Sequence, residues 1–363
     1  MSEFQRFKKL YQGNKFDTLL QQRNSVRWLK IFSISRKNLL VKFCRAAGIK
    51  CQKTAGVDAI SEHIYNSQHG QLLDNFILQE YRAARTRRLA DELALVSELY
   101  KVRTFDWGGL YQNNLEKTII NNYVKKICAF DDLNKKIETE IHESMRNYVQ
   151  ASWYNHWTSI LIEDIIKDHK KVIPVIGLKK KIDFFISDIP FDLKVTYFPE
   201  GFMSKRRKAD GLRTELQVMK QFATTLNLRY DTSQKDKILF SELLARISES
   251  TNSRAQQFAT KFKKERWSII KQALEKPQEL ITWLYENQGE RRFDAANRLF
   301  LILIDKKNLE ESWKMKRNID LLRNTINRHL EKFDASNTAR LRIKFNWEAK
   351  QYTTMSDVIF VVK

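Results

Sequence analysis

Proline is nearly missing from this chain, with four residues in 363, and glycine is scarce at ten. Helix breakers are therefore rare, and most of the first 150 residues read as helical. The three cysteines, Cys44, Cys51 and Cys128, form no CxxC pair and have no histidine at zinc spacing. This argues against a disulfide framework and a structural zinc site and points to a reducing compartment. No apolar run approaches the ~20 residues that span a bilayer, and the opening Met1-Ser2-Glu3-Phe4-Gln5-Arg6 lacks the apolar core of a signal peptide. A cytoplasmic protein with no membrane partner is expected. Internal repeats and low-complexity segments are also missing. Acids are short as well: 43 Asp and Glu against 65 Lys and Arg leave a net charge of +22. Such an excess favours a polyanionic partner, nucleic acid before an acidic membrane surface, and the plainer alternative is a basic soluble protein. What the chain has in quantity is apolar, 42% hydrophobic and 12% aromatic residues. That suits a folded protein, long for one domain and comfortable for two.

The most ordered pattern is Lys181-Ile182-Asp183-Phe184-Phe185-Ile186-Ser187-Asp188-Ile189-Pro190-Phe191-Asp192-Leu193-Lys194-Val195-Thr196-Tyr197-Phe198. Both ends alternate in polarity and the middle is interrupted by Ser187-Asp188 and Pro190, as in two strands joined by a short loop. Pairing Asp183 with Asp192 sets Phe184 against Phe191 and Phe185 against Pro190, and leaves 186–189 as a four-residue loop. One face then collects Ile182, Phe184, Phe191, Leu193, Val195 and Tyr197, and the other Lys181, Asp183, Asp192, Lys194 and Thr196. Directly opposite Cβ atoms lie only about 4.5–5.5 Å apart, so two facing carboxylates destabilise the pair unless a cation lies between them. The pattern asks for a metal.

Upstream, residues 36–47 and 57–65 have helical spacing around Gly48, a helix-turn-helix unit that vaguely resembles SAP-type DNA-binding modules and better suits a plain helical bundle. A helix over 73–100 carries Arg82, Arg85, Arg87 and Arg88, on either a solvated face or one that tracks phosphates. Trp107-Gly108-Gly109 marks a turn, and helical patterns resume over 113–124 and 130–148. Residues 152–168 form an amphipathic helix with a stripe of Trp153, Trp157, Ile160, Leu161 and Ile165. Glu163 falls on the edge of that stripe beside His156, and Asp164 lies within it. A strand is expected over 172–176. After the hairpin, Pro199-Glu200-Gly201 breaks the strand, and the cations Lys205, Arg206, Arg207 and Lys208 would suit a phosphate backbone. Helices over 214–226, 240–247 and 255–274 precede an apolar strand at 298–304, a long helix over 309–333, and strands at 341–345 and 358–362. The fold class expected is α/β, a mixed central sheet flanked by helices with a helical insertion about 205–290, preceded by an all-helical N-terminal region. A soft boundary between the two falls near residue 150.

From residue 152 onward these residues resemble the PD-(D/E)XK nuclease superfamily, whose fold is restriction-endonuclease-like. In that superfamily a helix supplies one acid, the second strand an Asp and the third strand an acid-x-Lys. The matching positions are Glu163, Asp183 and Asp192-Leu193-Lys194. Acid-x-Lys alone is common here, at Asp168-His169-Lys170, Asp305-Lys306-Lys307 and Glu348-Ala349-Lys350; what singles out Asp192 is its register with Asp183. Ile182 stands where the superfamily often has proline, and Asp164 competes with Glu163 for the helix role. The resemblance implies that Asp183, Asp192, the Leu193 carbonyl and Glu163 hold Mg²⁺, with Mn²⁺ able to replace it, and that Lys194 orients the attacking water or stabilises charge on the phosphate. The plain alternative is a surface hairpin whose acids and lysine pair as solvent-facing ions.

The function expected is Mg²⁺-dependent cleavage of double-stranded DNA by a sequence-specific type II restriction endonuclease, with the helical N-terminal part reading or gripping DNA. A two-fold homodimer is one way such an enzyme meets a palindrome. The alternatives are a structure-specific or nonspecific repair or defence nuclease and a non-catalytic DNA-binding protein on a nuclease-like fold.

Overall fold

A computed structural model of the chain describes residues 1–51, 54–67, 69–105, 119–177, 181–287, 296–347 and 349–363. A six-stranded mixed sheet in the order β1-β2-β3-β4-β6-β5 lies at the centre. Its strands are β1 Val172–Pro174, β2 Phe184–Ile186, β3 Ile189–Tyr197, β4 Arg298–Ile304, β5 Arg342–Trp347 and β6 Lys350–Val362. The first three form an antiparallel meander, β4 lies parallel between β3 and β6, and β5 returns antiparallel at the edge.

The seven residues of β4 are buried throughout, as a strand covered on both faces must be. Its alternation divides the core in two. Leu299, Leu301 and Leu303 pack with Ile162, Ile165 and Ile166 of the helix His142–Lys167 and with Leu322, Ile326 and Leu330 of the helix Ile319–Lys332. Phe300, Ile302 and Ile304 pack on the opposite face with Ile269 and Ile270 of the helix Ser253–Glu275 and with Leu280 and Leu284 of the helix Gln278–Asn287. The layers are therefore helix, sheet, helix, an α/β architecture. Between β3 and β4 the chain also forms the helices Glu200–Ala209, Glu215–Thr225 and Asp236–Glu249. The last two close a satellite core with Ser253–Glu275 around Met219, Leu243 and Phe262.

The N-terminal helices Glu3–Gln12, Phe16–Leu20, Ser25–Ser33, Lys37–Ala46, Val57–Asn66 and Gly70–Ala90 surround Phe4, Phe7, Trp28, Phe43, Ile64 and Phe76. The helix-turn-helix unit thus lies inside a bundle. This core does not end with the helices, because Phe185 of β2 and its flanking residues Val175 and Ile182 belong to it. Contact is closest at Gly177, where a Cβ would lie 2.0 Å from the Ser33 carbonyl oxygen, so no side chain fits. The helix His142–Lys167 also runs unbroken across residue 150. The backbone is helical through the expected boundary, and the N-terminal core takes in residues beside β1 and β2.

Two expected helices are each divided. The stretch 73–100 falls in Gly70–Ala90 and Glu92–Leu99, and 309–333 becomes a 3₁₀ segment, Leu309–Arg317, followed by Ile319–Lys332. Asn318 makes the second break, its side chain accepting the Leu321 N–H and capping the new helix. Trp107-Gly108-Gly109 and residues 113–118 lie outside the described residues. Among the described residues no helix is long and apolar enough to cross a membrane.

Candidate active site

The hairpin adopts the expected register, Phe184 with Phe191 and Phe185 with Pro190. It then closes one pair further, at Ile186 with Ile189, so the loop shrinks from four residues to Ser187 and Asp188. Their φ values of 47° and 67° are both positive, as a type I′ turn requires. Neither residue is glycine, and the turn is held from outside: buried Lys30 donates to Asp188 at 2.6 Å and to Asp74 at 2.8 Å.

At the open end the ladder stops at Phe184 and Phe191, so Asp183 and Asp192 do not form the cross-strand pair that the sequence suggested. The Asp183 N–H donates to the Phe191 carbonyl at 2.8 Å, and Asp183 Oδ2 accepts the Leu193 N–H at 2.7 Å. Two like charges thereby avoid direct opposition, with Asp183 just before β2 and Asp192 within β3. Two other assignments to the hairpin faces are corrected. Lys181 leaves the polar face and donates to the Tyr11 carbonyl and Asn14 Oδ1, both at 2.6 Å, while Ile182 joins Phe185 in the N-terminal core. Period-two alternation holds only within a strand, and both residues precede β2.

Packing separates the two candidate helix acids. The buried face of His142–Lys167 is Tyr154, Thr158, Leu161, Ile162, Ile165 and Ile166, rotated from the expected stripe, with Trp153 37% exposed. Asp164 is committed elsewhere: Arg88 grips both of its oxygens at 2.9 and 2.7 Å, and Arg85 stands 3.6 Å away. Glu163 instead faces the strands, close enough to raise the carboxyls of both Asp183 and Asp192. It accepts the Lys167 ammonium, one turn on, at 2.7 Å.

Burial pushes the Asp183 carboxyl up to about 6, and the charges of Glu163 and Asp192 push the same way. Asp192, 5% exposed, is also raised by burial, against the pull of Lys194 and Arg298. Lys194 spans both Asp192 oxygens at 2.9 and 2.7 Å, and Arg298 Nε stands 3.9 Å from Oδ2. Among the described residues, no three acidic, histidine or cysteine side chains are drawn together at metal-ligand spacing. Cations of the chain hold Glu163 and Asp192, whereas Asp183 has no ion pair among the described residues. The donors themselves are hard oxygens, the type a small divalent cation takes.

Three site residues escaped the sequence: Lys167, Arg298 and Lys316. Lys167 had a local signal, the i, i+4 spacing from Glu163. Arg298 begins the apolar strand and had none; it reaches Asp192 because the two residues are register partners in the parallel β3–β4 ladder. The run Lys205 to Lys208 does not form a uniform patch. Arg207 is 1% exposed and donates to the Arg213 carbonyl and Glu265, Arg206 pairs with Glu279, and Lys205 lies 3.6 Å from Glu279. The chain matches no protein-family profile, no curated protein and no solved structure.

The Asp183 shift carries a stability consequence. Its folded value of about 6 exceeds the ordinary 3.8, so the folded state holds the proton more tightly. That stability is fully present below the unfolded value and is lost as pH rises through about 6. Asp183→Asn keeps an oxygen for the Leu193 N–H and removes the charge. In metal-free buffer the variant is expected to exceed the wild type at pH 8 by on the order of 2 kcal/mol and to match it near pH 4. Denaturant titrations at both pH values measure this; equal midpoints at pH 8 would refute it.

Proposed function

We propose that the protein is a Mg²⁺-dependent endonuclease that hydrolyses phosphodiester bonds in double-stranded DNA, on a restriction-endonuclease-like core and in the manner of a type II restriction enzyme. The observation that carries this reading is the desolvated Asp183 carboxyl within electrostatic reach of Glu163 and Asp192, with Lys194 seated on Asp192. The order helix, β1, β2, β3, helices, β4 supports it, as does the net charge of +22.

Glu163, Asp183, Asp192 and the Leu193 carbonyl are the groups that would hold Mg²⁺. When bound, the ion supplies charge neutralisation at the phosphate and a water acidic enough to attack near neutral pH. The chain's own residues do the rest. Lys194, 47% exposed on its side chain, can turn from Asp192 toward a phosphate oxygen and stabilise charge there. The Leu193 N–H fixes the Asp183 carboxylate, so that acid is preorganised.

Incubation with supercoiled plasmid in Mg²⁺, in Mn²⁺ and in EDTA tests the proposal. Cleavage in either metal and none in EDTA is expected. Discrete fragments support sequence specificity, and a smear supports a nonspecific nuclease. Salt-sensitive DNA binding without cleavage in any metal would replace this reading with a DNA-binding protein on a nuclease-like core.

A further inference from the structure

A cleft of about 330 Å³ extends from Glu163 away from the hairpin, lined by Asn155, Ser159, Thr196, Tyr197 and Lys316 among others. Asn155, Ser159 and Glu163 recur every fourth residue, so one face of the helix His142–Lys167 forms its wall. Eight residues from Glu163 back to Asn155 span about 12 Å at 1.5 Å per residue. Successive phosphates on one DNA strand rise by only about 3.4 Å. The cleft is long enough for a phosphate bound at the acids and at least one neighbour.

Lys316, on the segment Leu309–Arg317, is 7% exposed. Among the described residues no carboxylate pairs with it: its ammonium donates to Asn155 Oδ1 at 2.7 Å and lies 5.4 Å from the centre of the Tyr197 ring. An ammonium has three donors, and one neutral amide oxygen satisfies one of them. Burying a cation without an anion is costly, and desolvation pulls Lys316 down to about 8. The hydroxyl of Tyr197, whose ring Lys316 lies over, is also buried and has no hydrogen-bond partner among the described residues. Buried polar groups without partners are rare, and two in one cleft of donor character ask for an anionic acceptor.

We propose that this cleft is a phosphate subsite, in which the Lys316 ammonium and the Tyr197 hydroxyl hold oxygens of the phosphodiester next to the one engaged by Glu163, Asp183 and Asp192. The role given to the neighbouring phosphate rests on the nuclease reading; the anion contact itself does not. It also accounts for a buried lysine kept without a carboxylate, since the substrate brings the missing charge.

The test compares wild type, Lys316→Met and Tyr197→Phe for binding of a short fluorescein-labelled duplex DNA in EDTA, by anisotropy across a salt series. Lys316→Met is expected to weaken binding and to make the slope of log K against log salt shallower by about 0.9, the value for one phosphate contact. Tyr197→Phe is expected to weaken binding several-fold with the slope unchanged, because a neutral donor is lost. Melting curves show whether each variant folds, and Tyr197→Phe keeps the test open should Lys316→Met not fold. Folded variants that bind as wild type does, with the same slope, overturn the subsite, as does wild type that binds no DNA. Since binding is read without metal, a shallower slope for Lys316→Met in a protein that cleaves nothing keeps the subsite and removes the nuclease reading. Cleavage by wild type with both variants unaltered in binding removes the subsite alone.

Discussion

Asp192→Asn is expected to lower DNA cleavage by about 10²–10³-fold, the range seen when one preorganised charge-stabilising group is removed from an active site. Asp192 carries more contacts than any other acid of the site. It is 5% exposed, chelates the Lys194 ammonium through both oxygens, lies 3.9 Å from Arg298 Nε, and its N–H donates to the Asn297 carbonyl at 2.9 Å. Asparagine keeps the shape and the backbone bond and removes the charge. On the proposed function one ligand for the divalent cation would then be lost, and Lys194 no longer has an anion to set its position. Burial raises the Asp192 carboxyl, so losing the charge relieves a desolvation cost, while buried Arg298 loses its carboxylate; a melting curve run beside the rates shows which of the two wins. Retained folding therefore separates lost chemistry from lost structure. Initial rates of plasmid nicking measure the effect, and a variant as active as wild type ends the assignment of Asp192.

Arg85→Met is expected to destabilise the fold by about 3 kcal/mol, near the lower end for removing one partner of a buried ionic network. Arg85 is 4% exposed and ties three acids together, with Glu92 at 2.6 Å, Asp168 at 3.0 Å and Asp164 at 3.6 Å. Methionine fills much of the volume and leaves those carboxylates under-compensated. Arg88 still holds Asp164 and Arg323 still holds Glu92, at 2.7 and 3.0 Å, which keeps the cost from the upper end of the range. The midpoint in urea is expected to fall with no change in slope. An unchanged midpoint would mean that the network contributes nothing net.

The difference between these two predictions follows what could be seen in the sequence. The hairpin register was legible because strand periodicity, paired phenylalanines and a short polar interruption all constrain residues within twenty positions of one another. The strand at 298–304 was legible from its unbroken apolar run, which the structure buries completely. The Arg85 network was not, because its partners lie 7 to 83 positions away and nothing in an arginine-rich helix distinguishes an inward guanidinium from a solvated one. Trp153 was misplaced for a related reason: a large aromatic was given to the core, whereas the helix buries Tyr154 and Thr158 at that level. Asp183 shows the limit within the hairpin itself. Its place at the strand end was readable, but the capture of the Leu193 N–H by its carboxylate depends on where the ladder stops, which residue types alone do not set.

Phe185 has a consequence for motion. Its ring is fully buried among the N-terminal helices, while Phe184, next to it on the same three-residue strand, is fully buried against the sheet core. One short strand thus ties two hydrophobic cores back to back, immediately beside Asp183. Swinging the helical half away on a hinge would have to draw Phe185 out of its packing and disturb the acids with it. On the proposed function, a DNA duplex would have to reach the acids through side-chain rearrangement and not domain opening. Any loosening of the N-terminal bundle would register directly at the carboxylates.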